Sequence, residues 1–232
     1  MILDYQTITR MCADSSQNQS SASVSNTKPP REILDEIYAF PPNRDTLGGT
    51  SYLVRAKAGN ILVDCPNWKG TQQFQEFCQQ QGGVRWLFIT HREAMSQVRS
   101  IQSDLNCEVV VQEQEAYLLP EVTVTSFQEE IRLGEALGIW TCGYSPGSAC
   151  LYVPSNGGVL FSGRHLLVDP NGNLAPIQSR KTFHWRRQLR NIKKLQTKFP
   201  QQTLSYVCPG ANTGFLRGKG VVTLSEKGLM TL

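Results

Sequence analysis

The run Trp86-Leu87-Phe88-Ile89 constrains this chain most. Four consecutive large apolar side chains do not suit a strand with one wet face, so the strand they form must be covered on both sides. Just before it, Thr71 to Gln81 places Phe74, Phe77 and Cys78 on one helical face and stops at Gly82-Gly83. With the earlier β-prone run Ile61 to Asp64, this predicts a β-α-β unit. The alternation repeats: a helix over Glu93 to Leu105, with Ala94, Val98, Ile101 and Leu105 at helical spacing, precedes a strand over Glu108 to Val111.

Around this centre the pattern is regular. Ile37 to Phe40 and Ser51 to Arg55 predict antiparallel strands. In the second half, strands are predicted over Val122 to Phe127, Ile139 to Cys142, Ala149 to Val153 and Val159 to Ser162, with Asn156-Gly157-Gly158 as a turn between the last two. A helix over Thr182 to Phe199, striped by Trp185, Leu189, Ile192 and Leu195, is ended by Pro200. A last strand covers Leu204 to Cys208. Two strand-rich halves, each followed by helices, predict two packed sheets with helices outside.

Residues 31–232 therefore read as one domain, and 1–30 as an N-terminal tail and linker. Ala13 to Pro30 is rich in Ser, Gln and Asn, with too little apolar surface to offset the entropy of ordering. No apolar run approaches the roughly 20 residues of a membrane span. The N-terminus lacks the charged and apolar regions of a secretory leader, so the cytoplasm is the expected compartment. Seven cysteines without a CxxC pair fit neither a zinc knuckle nor a disulfide framework, and read as reduced, buried thiols. A net charge of +4 suits a small anion or an acidic partner.

The candidate chemistry lies at the strand ends. Ile61 to Cys65 ends a strand in Asp64. Leu87 to His91 feeds the string His91-Arg92-Glu93-Ala94-Met95-Ser96. Gly143-Tyr144-Ser145-Pro146-Gly147-Ser148 precedes Cys150-Leu151-Tyr152, Phe161-Ser162-Gly163-Arg164 follows, and Cys208-Pro209-Gly210-Ala211-Asn212 closes the series. In this order the strings resemble the motifs of the metallo-β-lactamase superfamily over about Ile37 to Gly210. The resemblance implies an α/β fold, the four-layer αββα sandwich of the metallo-β-lactamase type.

The same resemblance implies a degenerate metal site. Where the family has Thr-His-x-His-x-Asp-His, this chain keeps His91, has Glu93 at the second His, and has Met95 and Ser96 at the Asp and last His. Tyr144 and Ala211 stand where further His ligands belong. Arg164 stands at the carboxylate that bridges two metals. A permanently charged guanidinium there repels divalent ions as well as removing a ligand, and His91 with Glu93 falls short of the three or four ligands of a zinc site.

The expectation is thus a pseudoenzyme without a cofactor. It would bind a small anionic ligand or a protein partner through a former active-site cleft lined by Asp64, His91, Glu93, Tyr144, Arg164 and His165. Arg164 either pairs with Asp64 or Glu93 as a structural salt bridge, or joins His91, Tyr144 and His165 in an anion pocket. The alternative is a metal-dependent hydrolase with a reduced site on His91 and Glu93, holding one weakly bound zinc or iron. The helix from Thr182 carries Arg186, Arg187, Arg190, Lys193, Lys194 and Lys198. Nucleic acid is disfavoured as its partner, because no aromatic platform is evident beside those charges, and a solvated outer helix is the simpler reading. His184 reads as a surface or packing residue.

Overall fold

Alternation along each strand divides the side chains between layers. In the computed structural model, which describes residues 28–69, 72–199, 203–224 and 229, Tyr52, Val54, Ile61, Val63, Trp86, Phe88 and Val110 face one core. Their neighbours Leu53, Leu62, Leu87, Val109 and Val111 face another. A period of two is what a strand covered on both faces requires.

The first sheet has seven strands in chain order: β1 (Arg31–Leu34), β2 (Ile37–Ala39), β3 (Tyr52–Val54), β4 (Ile61–Val63), β5 (Trp86–Phe88), β6 (Glu108–Gln112) and β7 (Val124–Phe127). It is antiparallel up to β4 and parallel from there on. Helices α1 (Gln72–Gln80) and α2 (Val98–Leu105) make the crossovers, burying Phe74, Cys78, Val98 and Ile101 on its outer face. The predicted β-α-β repeat is therefore present.

The second sheet comprises β8 (Glu130–Leu133), β9 (Ala136–Trp140), β10 (Ala149–Val153), β11 (Val159–Gly163), β14 (Tyr206–Pro209) and β15 (Val222–Thr223), in the order β15-β14-β11-β10-β9-β8. Ala149, Leu151, Val153, Val159, Phe161 and Cys208 face the first sheet. Cys150, Leu160 and Val207 face outward, where helix α4 (Trp185–Lys198) covers them with Ile192 and Leu195. A short hairpin of β12 (Leu167–Val168) and β13 (Leu174–Ala175) follows β11. Helix, sheet, sheet and helix thus stack in four layers.

The sheets are latched at one end. The Tyr52 hydroxyl donates to Pro209 O at 2.7 Å, and Thr50 N donates to Gly210 O at 2.9 Å.

Some elements differ from expectation. The helix predicted over Glu93 to Leu105 is a 3-10 turn, Arg92–Ala94, followed by α2, because Gln97 adopts a left-handed conformation (φ 57°) that an α-helix cannot propagate through. β8 was not predicted. Its Glu130 and Arg132 alternate with Ile131 and Leu133, as on an edge strand with one wet face. The one-turn helix α3 (Glu113–Ala116) was also missed. The tail and linker, apart from Lys28 to Pro30, lie outside the described residues, as does Pro200. Six cysteines are free and buried, and Cys12 lies outside the described residues.

Candidate functional site

The motif strings converge at the ends of the strands, on the latched side of the sandwich. Asp64 leaves β4 in a left-handed conformation (φ 61°), which Asp tolerates better than most residues. Its carboxylate accepts from Thr90 N at 2.8 Å and from Thr90 Oγ1 at 2.9 and 2.7 Å. Burial raises the Asp64 pKa, against the opposing effects of His91, the Thr90 bonds and the Arg164 charge. Asp64 thus joins the loops after β4 and β5. Thr90 was overlooked in the sequence, although a buried carboxylate at a strand end needs donors, and the residue before His91 is well placed to supply them.

His91 is 3% exposed and begins the 3-10 turn that carries Glu93. Its Nδ1 lies 3.5 Å from Glu93 Oε2, an ion-pair distance whose alignment falls short of a hydrogen bond. Lys181, another residue the sequence reading missed, approaches Glu93 Oε1 at 3.8 Å. Burial alone would raise the Glu93 pKa; His91, the Tyr144 hydroxyl and Lys181 outweigh it and hold the group below its ordinary value.

The Tyr144 loop is braced on several sides. Ser145 N donates to Ser148 Oγ at 2.7 Å, Trp140 Nε1 donates to Pro146 O at 2.8 Å, and Gly147 N donates to the fully buried Glu115 of α3 at 3.1 Å. Gly143 permits α4 to approach, since a Cβ there would lie 2.4 Å from Gln188 Cα. The Tyr144 ring meets the His91 ring edge-on at 5.2 Å. Burial, with the Glu93 charge acting in the same direction and Arg164 against it, pushes the Tyr144 phenol to about 12. It is therefore a hydrogen-bond donor at neutral pH.

Arg164 follows β11. The chain turns there at Gly163 (φ 52°), where a Cβ would lie 2.5 Å from Thr90 Oγ1. Arg164 Nη2 donates to Thr46 O at 3.1 Å and Leu47 O at 2.9 Å, Nε is buried without a partner, and the guanidinium carbon sits 5.7 Å from the Tyr144 ring centroid. The expected salt bridge is not formed: Arg164 makes no ion pair among the described residues. Thr90 already occupies the Asp64 carboxylate, while His91 and Lys181 serve Glu93.

The fold therefore links His91, Glu93, Tyr144 and Arg164 in one contiguous group, with Asp64 just behind it. His165 stands apart. Its ring is 1% exposed, neither nitrogen has a partner, and desolvation lowers its pKa to about 3. Its carbonyl accepts from Gln188 Nε2 of α4 at 2.9 Å. A neutral, buried imidazole supplies no positive charge to an anion.

A metal pair does not fit this group. Among the described residues no three His, Cys, Asp or Glu side chains converge as ligands. The donors that adjoin, His91 and Glu93, face each other beside a guanidinium.

No protein-family model matches the sequence, and no curated protein sequence matches it. Solved structures do. VMB-1 aligns over 88% of this chain and 97% of its own, at TM-score 0.64 and 14% identity. A metallo-β-lactamase of Cronobacter sakazakii with a HARLDQ motif aligns over 88% and 90%, at TM-score 0.62 and 17% identity. TTHA1623 in a di-iron-bound form aligns over 79% and 94%, at TM-score 0.60 and 20% identity. The chain has the metallo-β-lactamase fold. Among the described residues no helix is long and apolar enough to cross a membrane.

Proposed function

We propose that this protein is a non-catalytic protein of metallo-β-lactamase fold that binds a small anion through Arg164, beside Tyr144. The observation that carries the reading is the guanidinium of Arg164. Two loop carbonyls hold it through Nη2, and its buried Nε has no partner. A guanidinium anchored through Nη2 keeps its Nε–H for a carboxylate or phosphate oxygen. Tyr144, whose hydroxyl serves Glu93, flanks the guanidinium with its ring. Glu93 would repel an anion, but the Lys181 ammonium at 3.8 Å offsets part of its charge. Asp64 acts as a clasp for the loops.

The test is a titration with inorganic phosphate and with acetate at constant ionic strength, followed by thermal shift. We expect saturable stabilisation that Arg164→Gln weakens at least tenfold while the ligand-free protein melts within a few degrees of wild type. Equal binding by both proteins would remove the proposal.

A second reading, a hydrolase with a reduced site holding one zinc or iron on His91 and Glu93, is supported by their contact and by the metalloenzymes named among the structural neighbours. Elemental analysis separates the two. Near one metal per chain, lost in His91→Ala, would favour the hydrolase, and less than about 0.1 would favour the anion binder.

A further inference from the structure

We propose that the outer crest of α4 is a docking surface for single-stranded nucleic acid, with Phe183 as a base-stacking side chain. The helix contains no Asp or Glu and six Lys or Arg. Arg186 and Arg187 occupy its first turn, where the helix dipole disfavours cations. Like charges recur four residues apart at Arg186 and Arg190, Arg190 and Lys194, and Lys194 and Lys198, a spacing that destabilises a helix. These are local penalties with no compensation within the helix itself, and such violations concentrate at functional surfaces.

The fold sorts these charges. Gln188, Ile192 and Leu195 form the buried face. Lys194 pairs with Glu129 at 3.2 Å and Lys198 with Glu130 at 2.7 Å, which accounts for the flank toward β8. Of the other four, Arg187 turns its Nη1 toward the Cys142 thiol at 4.0 Å, which leaves Arg186, Arg190 and Lys193. They are exposed, have no ion-pair partner among the described residues, and share one face at i, i+4 and i+7. The helical rise spreads them over about 10 Å.

An aromatic group stands at the start of this row. Phe183 is 55% exposed, with the exposed His184 ring 6.4 Å away. The backbone of both is fixed: Phe183 N donates to Tyr144 O at 2.9 Å, and His184 N donates to Gly143 O at 2.8 Å. The His184 side chain also caps α4 by accepting from Arg187 N at 3.3 Å. An exposed aromatic side chain thus precedes the first of these cations by three residues.

The same observations choose between polyanions. A membrane-surface helix presents its apolar face to lipid, but that of α4 is packed on the second sheet, and Leu189 at 37% exposure adds little. An acidic protein would use the charges without needing Phe183. A single strand uses both, phosphates on the guanidiniums and a base on the ring.

Fluorescence anisotropy of the full chain with labelled 12-nucleotide oligouridylate RNA and oligothymidylate DNA provides the test. Three phosphate contacts predict a log–log salt slope of about −2, and so about 20-fold weaker binding between 50 and 200 mM salt. Combined Arg186→Glu, Arg190→Glu and Lys193→Glu should weaken binding at least tenfold with an unchanged or higher melting temperature, because reversal relieves the repulsion and suits the dipole. Phe183→Ala should weaken oligonucleotide binding about fivefold or more and leave heparin binding unchanged. The proposal is overturned by absence of saturable binding at 50 mM salt, or by full binding in the triple variant. It is equally overturned if Phe183→Ala has no effect while polyglutamate competes as well as the oligonucleotide, the behaviour of an acidic-protein surface.

Discussion

The loops after β4 and β11 lie against each other at one end of the sandwich, yet they treat their polar groups in opposite ways. Asp64 is closed off by Thr90, which supplies both a backbone and a hydroxyl donor. Arg164 keeps an unpartnered Nε. A buried polar group that is satisfied stabilises the fold, whereas one left unpaired costs about 1 to 3 kcal/mol and calls for another explanation. The first loop is architecture. The second is where the proposed anion would find a donor.

The contrast breaks most readily at Thr90. Thr90→Val leaves Asp64 buried with its backbone bond alone, and should lower stability by about 3 kcal/mol in urea unfolding, while Thr90→Ser should lose less than about 1. A small effect of Thr90→Val would mean that the clasp is not what secures this end.

His165 gives the next largest effect. Because its folded pKa lies below that of the unfolded chain, its contribution to stability is present above pH 6.5 and lost as pH falls toward 3. At pH 5 the loss should be about 2 kcal/mol, at about 1.4 per unit. His165→Leu should flatten this part of the pH–stability curve, and an unchanged slope would show that the ring is not held neutral.

Arg164→Gln sharpens the contrast from the other side, with a change of less than about 1 kcal/mol in ligand-free stability against the tenfold loss of anion binding proposed above. Destabilisation as large as that of Thr90→Val would make Arg164 architecture too. Glu93 should give the smallest signal. Its lowered pKa contributes stability above about pH 4.5 that is lost as pH falls through its folded value, and partial exposure keeps this under about 1 kcal/mol. Comparing Glu93→Gln with wild type at pH 7 and pH 3.5 would measure it.

Much of the fold was legible because its strands are short and covered on both faces, so Trp86 to Ile89 and Ile61 to Asp64 could be read as strands, and Gly82-Gly83 as a stop. β8 was not legible, since Glu-Ile-Arg-Leu at an edge looks like a helix or a loop until Ala136 to Trp140 pairs with it. Around the site, residue identities could be read off but their bonding could not. Nothing in the order of residues says that Thr90 reaches Asp64 before Arg164 does, or that a loop more than 100 residues away, at Thr46 and Leu47, supplies the carbonyls that hold the guanidinium. Lys181, just before the predicted helix, gave no signal, and Phe183 lay inside a helix predicted from Thr182 that begins only at Trp185.

The latch between the two sheets bears on how the protein is made. Tyr52 and Thr50 find their partners at Pro209 and Gly210, 157 and 160 positions further along the chain. Contacts of such separation form late and only after most of the chain is available. During synthesis the first sheet can assemble behind the advancing ribosome, but the end that carries the candidate site stays open until the β14 segment emerges. A nascent chain stalled before Leu204 should therefore expose the apolar inner face of the first sheet and depend on chaperones, and the cleft should be among the last parts of the molecule to acquire its shape.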